Sequence, residues 1–277
     1  MQRIDSHQHF WKYDPIRDSW ITEDMAVIQR DFLPGDLNPV LKQNGFDGCI
    51  TVQSDQSYDE NMFQLDNASG NDFIKGIVGW VDFVSPHVEK YLDYLSQFEK
   101  MKGFRHVLQG EKDRAFMLQP AFMKGISMLK KYNFSYDVLI FPDQLKHTLG
   151  FVKAFPDQPL VIDHIAKPYI KDKKIDEWKI GMEAIAKYEN VYCKISGMVT
   201  EADWKQWTKE DFTPYLETVT EAFGIDRIMY GSDWPVCLVA ASYEKVVEIV
   251  RNHFSSFSKD EQELFFGGNT IKFYNLN

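Results

Sequence analysis

Two histidines one residue apart, in Asp5-Ser6-His7-Gln8-His9 at the end of a short apolar start, are the residues of this chain best placed for joint chemistry. In a strand successive side chains alternate faces, so His7 and His9 point the same way and can present two imidazoles to one ion or one substrate oxygen. Far downstream, Val161-Ile162-Asp163-His164 offers a third imidazole and Tyr230-Gly231-Ser232-Asp233-Trp234-Pro235 offers a carboxylate. A catalytic metal commonly takes about three protein ligands and keeps a position for water, whose pKa it can lower to about 7. His7, His9, His164 and Asp233 could supply that set for one divalent ion. Without a metal, Asp233 could act as general base for water while the imidazoles donate to a carbonyl becoming an oxyanion. Asp233 also suits the opening of a turn before Trp234-Pro235, so its position alone does not decide its role.

Residues so far apart in sequence need a scaffold that gathers strand ends. Apolar runs of strand character recur at Arg3–His9, Phe46–Gln53, Ile74–Phe83, Lys102–Leu108, Tyr136–Phe141, Leu160–Ile165, Val191–Ser196 and Arg227–Gly231. Their mean spacing of roughly 30 residues is the length of a βα unit, and strands alternating with helices imply parallel pairing. Helical stripes lie between them. Ser85-Pro86 opens Val88–Phe98, Pro120 opens a run that stops before Asn133, and further stripes lie in Ile175–Tyr188, Pro214–Phe223 and Tyr243–Phe254. An open doubly wound sheet would call for a Gly-rich phosphate loop after the first strand, and none is present. The pattern therefore predicts an α/β protein of the closed (β/α)8 TIM-barrel type, a single domain over residues 1–277.

Composition excludes several functions. The chain has 277 residues, 44% of them hydrophobic, and 31 basic against 41 acidic side chains give a formal charge of −10. That charge repels phosphate backbones and anionic lipid surfaces, so neither nucleic acid nor a membrane is expected as a partner. No stretch approaches the roughly 20 apolar residues that span a bilayer, and the first dozen residues are unlike a signal peptide, which points to the cytoplasm. Cys49, Cys193 and Cys237 are odd in number and set in apolar runs, so they read as reduced core thiols. Nothing in the sequence sets an oligomeric state.

Two long connections follow strand ends on the face where barrels place their active sites: His9 to Asp36, with Trp11, Tyr13, Trp20 and Phe32, and Gly197–Asp211, with Trp204 and Trp207. Trp11, Trp204 and Trp207 are expected to line a pocket for a small organic ligand, the alternative being that the rings plug the barrel end. In the fourth strand Arg105 and His106 face opposite sides, so only one can enter the barrel unless the strand bulges. Arg105 is the expected one, because a planar, permanently charged fork suits a polarised carbonyl or a carboxylate.

Five motifs carry a family resemblance: Asp5-Ser6-His7-Gln8-His9-Phe10-Trp11, Gly103-Phe104-Arg105-His106-Val107-Leu108-Gln109, Asp163-His164-Ile165-Ala166-Lys167-Pro168, Cys193-Lys194-Ile195-Ser196-Gly197 and Gly231-Ser232-Asp233-Trp234-Pro235. In that order, with Phe266-Gly267-Gly268-Asn269-Thr270 near the end, the chain from residue 5 to about 274 resembles the amidohydrolase superfamily, most of all its branch of sugar-lactone hydrolases. The resemblance implies that His7, His9 and His164 are metal- or carbonyl-binding, that Asp233 activates water, and that the substrate is the lactone of a sugar acid such as L-fuconate or L-rhamnonate. Dinuclear members carry a lysine or glutamate after strand four and a histidine after strand five; here those regions read Phe104-Arg105-His106-Val107 and Tyr136-Asp137-Val138-Leu139-Ile140. The expectation is therefore at most one divalent ion, zinc being the first candidate, or a metal-independent centre. Decarboxylation and ligand binding without chemistry are the alternatives such barrels also admit.

Overall fold

The computed structural model describes residues 1–276. Eight parallel strands run in sequence order: β1 (Ile4–Gln8), β2 (Gly48–Val52), β3 (Ile74–Gly79), β4 (Met101–His106), β5 (Ser135–Val138), β6 (Leu160–Ile162), β7 (Val191–Ile195) and β8 (Ile228–Tyr230). Helices cross between them: α1 (Pro34–Gln43), α2 (Tyr58–Ser69), α3 (Val88–Leu95), α4 (Pro120–Ser127), α5 (Leu145–Ala154) and α6 (Asp176–Ala186), then, after β7, a short α7 (Met198–Glu201) and α8 (Thr213–Phe223), and, after β8, α9 (Tyr243–His253). The fold is the single-domain (β/α)8 barrel that the strand spacing predicts.

Local chemistry sets the helix starts. The Ser57 and Ser242 side chains accept from the backbone N–H groups of Glu60 and Lys245 at the starts of α2 and α9, filling donors that no helical carbonyl can reach. Proline stands in the first turn of α4 and α8, where its missing N–H costs nothing.

The eighth strand is short, and the barrel closes just beyond it. His9 N donates to Trp234 O at 2.7 Å and Asp233 N donates to His7 O at 2.8 Å. Gly231 permits the approach, since a Cβ there would stand 2.7 Å from that of His7.

Apolar residues form two bodies. The larger lies between strands and helices; the smaller, with Ile4, Ile50, Val52, Val78, Val161, Tyr192 and Met229 from the strands and Tyr274 from the C-terminal segment, plugs the barrel. Above this inner plug the interior turns polar, with Arg105, Asp137, Asp163 and Lys194 all buried. Parallel strands covered on both faces usually read as unbroken apolar runs. The charged positions therefore mark the floor of a site.

Candidate active site

His7 and His9 reach the interior through an irregularity. Ile4 belongs to the inner plug and His7 also faces inward, three residues on, which strict alternation forbids. The register of β1 against β2 shifts between Asp5 and Gln8, and Asp5 Oδ1 holds the displaced backbone by accepting from His7 N at 3.1 Å and Ser232 N at 2.9 Å.

His164 and Asp233 come from strained backbone beyond their strands. β6 ends at Ile162, earlier than the sequence run to Ile165, and His164, Ile165, Ala166 and Lys167 all have positive φ. Asp233 has a φ of 57°. Such left-handed residues cost about 1–2 kcal/mol each outside glycine, and runs of them collect where side chains must be aimed for function. Gly197 completes the aim: a Cβ there would lie 2.7 Å from His164 Nδ1.

The ring nitrogens converge on the Asp233 carboxylate. Its Oδ1 lies 3.4 Å from His9 Nε2 and 3.9 Å from the Nε2 atoms of both His7 and His164; His7 Nε2 and His9 Nε2 are 3.2 Å apart. His9 Nδ1 faces the Val52 carbonyl at 2.8 Å, an oxygen that can only accept, so Nδ1 carries the proton and a neutral His9 offers a lone pair at Nε2. So many lone pairs pointing at one another require positive charge among them. Arg105 Nη1 supplies some, 3.2 Å from His7 Nε2.

Burial holds the His7 and His164 imidazoles well below their usual pKa, which keeps them neutral. Burial works against the Asp233 charge, but His164, His9 and Lys167 around it keep the carboxyl below its usual value. Two neutral imidazoles and an ionised carboxylate are the states that metal ligands require. One atom each from His7, His164 and Asp233 lies within 4.8 Å of the others, so the residues fit one divalent ion. His9 is outside that mutual set. The Arg105 guanidinium sets a positive charge 3.2 Å from His7 Nε2, which works against a second cation there.

Beneath lies a buried ion network that sequence reading did not assemble. Asp163 Oδ1 is 3.1 Å from Lys194 Nζ and 3.3 Å from His7 Nδ1, and its Oδ2 accepts from Arg105 Nη1 at 3.2 Å. Lys194 also donates to Asp137, which accepts from the Tyr274 hydroxyl at 2.8 Å. Two cations and two carboxylates thus balance in the barrel interior, as buried charge must. Burial works against the Asp163 charge, but Lys194, His7 and Arg105 hold its pKa well below the usual value. The legible signal was a charge at an alternate position of an apolar strand, as in Tyr136-Asp137-Val138 and Cys193-Lys194-Ile195.

Arg105 enters the barrel and His106 does not. Arg105 also donates to the Gln53 carbonyl at 2.6 Å and side chain at 3.1 Å, whereas His106 faces the helices, bonded to Glu111 at 2.8 Å and stacked on Phe116.

Above these groups opens a cavity of about 410 Å³ bounded by His9, His164, Arg105 and Asp233, with Trp11 and Trp20 on its wall. Trp11 is locked in place, its indole N–H donating to Arg30 O at 2.9 Å. Trp204 and Trp207 do not line it, which corrects the expectation drawn from loop length: the chain after β7 folds back through α7, so the indoles donate to Thr200 O at 2.8 Å and Ala240 O at 3.0 Å. They brace the rim. Cys237 is buried, and burial pushes its thiol well above the usual pKa, which favours the protonated thiol.

Residues 4–276 match the amidohydrolase family. An L-fucono-1,5-lactonase of Burkholderia multivorans is 37% identical over 99% of this chain and 96% of its own length. A second, of Burkholderia ambifaria, is 32% identical over 99% and 96%. Among solved structures, an amidohydrolase from Burkholderia multivorans superposes with a TM-score of 0.97 in a crystal with bound HEPES and 0.95 in one with bound zinc, at 36% identity over 100% of both chains.

Proposed function

This chain belongs to the amidohydrolase family, and from that membership we propose that it hydrolyses the lactone of a sugar acid, of the L-fucono- or L-rhamnono-lactone type. The observation that carries the reading is the Asp233 carboxylate, kept ionised beside His7, His9 and His164 on the floor of a cavity large enough for a small sugar ring. Relatives matching 99% of the chain are L-fucono-1,5-lactonases, so decarboxylation is the less supported alternative.

Asp233 takes a proton from water as its oxygen attacks the lactone carbonyl carbon. The carbonyl oxygen becomes an oxyanion, which the Arg105 guanidinium faces, while the imidazole edges of His9 and His164 bound the same space. Collapse of the tetrahedral adduct breaks the bond from carbon to ring oxygen, and the proton held on Asp233 passes to that oxygen as it leaves. The product is a carboxylate with a free hydroxyl, and one proton goes to solvent. A divalent ion held by His7, His164 and Asp233, zinc being the one bound in the Burkholderia multivorans structure, would polarise the carbonyl and acidify the water. Trp11 gives the sugar an apolar face to lie against, and polar groups around it orient the hydroxyls.

No helix among the described residues is long and apolar enough to cross a membrane, and three free, buried thiols suit a reducing compartment; we place the enzyme in the cytoplasm. The test is proton release from L-fucono-1,5-lactone and a panel of sugar lactones, followed with a pH indicator, corrected for spontaneous opening and run beside carbon dioxide detection. Catalysed proton release without carbon dioxide is expected. Carbon dioxide from an aromatic acid with inert lactones would overturn the reading.

A further inference from the structure

Lys167 closes the Asp163-His164-Ile165-Ala166-Lys167 motif and takes no step in the mechanism above. It is the last of the four left-handed residues, with a φ of 48°. Its N–H donates to His164 O at 2.8 Å, and the Trp178 indole donates to Ile165 O at 2.7 Å. One braced turn thus presents both His164 and Lys167 to the cavity.

Three cationic side chains line that cavity: Arg17, Arg105 and Lys167. Arg17 is occupied by Asp18 at 2.7 and 2.8 Å and by the Lys12 carbonyl. Arg105 is held by Asp163 and Gln53 in the barrel floor. Lys167 instead meets a carboxylate on the rim, Glu201 Oε1 at 3.1 Å, with the two side chains 17% and 18% exposed. A lysine carries rotatable donors on a flexible four-carbon stem, so among the three it can most readily change partner.

A lactone is neutral, and its opening creates a carboxylate. A cation on the wall therefore favours the charged product, and the charged transition state before it, over the substrate. We infer that Lys167 binds the carboxylate of the newly formed sugar acid, leaving Glu201 to do so, and is thus a further substrate-contacting residue. The inference rests on the lactonase reading.

The test compares wild type, Lys167→Met and Glu201→Gln, using L-fucono-1,5-lactone as substrate, L-fuconate as inhibitor and thermal unfolding as the control for folding. Lys167→Met should raise the inhibition constant of L-fuconate about ten-fold or more, the worth of a charge-assisted hydrogen bond, and change KM by less than about three-fold. Glu201→Gln removes the competing carboxylate and should lower that inhibition constant. Should Lys167→Met fail to fold, Glu201→Gln decides alone, because it leaves the ammonium in place. An unchanged inhibition constant in Lys167→Met, an unchanged or raised one in Glu201→Gln, or KM and inhibition constant rising together in both would overturn the inference. A wild-type protein that opens no sugar lactone would fell the lactonase reading itself, and the inference with it.

Discussion

Arg105 Nη1 lies 3.2 Å from His7 Nε2 and the same distance from Asp163 Oδ2, so one guanidinium nitrogen joins the buried imidazole beside Asp233 to the carboxylate beneath it. Asp163 in turn stands 3.3 Å from the other nitrogen of His7. Both ring nitrogens of His7 thus meet cationic donors, Arg105 Nη1 at Nε2 and Lys194 Nζ at Nδ1, each at 3.2 Å, and Asp163 lies between the two cations. The ring is fixed in orientation by this network beneath the site.

Arg105→Met should lose both stability and turnover. Removing one partner of a buried ion network leaves Asp163 undercompensated, at a cost of about 3–5 kcal/mol, and loss of the oxyanion donor should lower kcat by roughly 10²–10³-fold. Chemical denaturation and lactone kinetics measure the two. Arg105→Lys should not restore turnover, since an ammonium cannot reach His7, Asp163 and Gln53 together; wild-type kcat in that variant would remove the guanidinium from the mechanism.

Asp233→Asn keeps the shape of the side chain and cannot take a proton from water. Turnover should fall by about 10²–10⁴-fold with an unchanged circular dichroism spectrum. A folded variant with near wild-type kcat would exclude Asp233 as the base.

The pH dependence follows from the same group. A base is active above its pKa, and Asp233 is held below the usual 3.8 by His164 and His9 against the effect of burial. Activity should therefore be lost only as pH falls below about 4. His7 and His164 stay neutral well below the usual 6.5, because burial opposes their protonation. The kcat/KM profile corrected for spontaneous opening should show no limb from His7 or His164 between about pH 5 and 8; a steep fall through pH 6.5 that survives replacement of His9 by Gln would contradict these assignments.

Metal content should not exceed one divalent ion per chain, held by His7, His164 and Asp233. Elemental analysis of the purified protein, before and after chelation, reads this directly. Two equivalents, both required for activity, would refute the proposal that Arg105 excludes the second cation.

Trp11→Ala should lower kcat/KM for the preferred lactone, by about ten-fold for a lost ring contact. Trp204→Ala and Trp207→Ala should lower the unfolding temperature more than they change kcat/KM, because their indoles bond Thr200 and Ala240 away from the cavity. Kinetics and thermal unfolding on all three variants separate the two roles. Equal kinetic losses would show that the second loop also closes on substrate.

Much of this protein is written in one-dimensional pattern. Apolar runs at βα spacing specify the eight parallel strands, and a period of two places His7 and His9 together. His164 and Asp233 could be placed at strand ends on the same rim. Tertiary structure alone decided the rest. Parallel strands are buried on both faces, so pattern does not say which of Arg105 and His106 looks inward; the register against β3 and β5 does. The same holds for Asp137 and Lys194, whose charges make sense only when β5 and β7 bring them together across the barrel. The shift in β1 that turns both Ile4 and His7 inward depends on β2, a partner some 45 residues away. Loop length could not tell Trp11, which folds over the cavity, from Trp204 and Trp207, which fold back on the rim, because the carbonyls that capture each indole come from chain brought near only by folding.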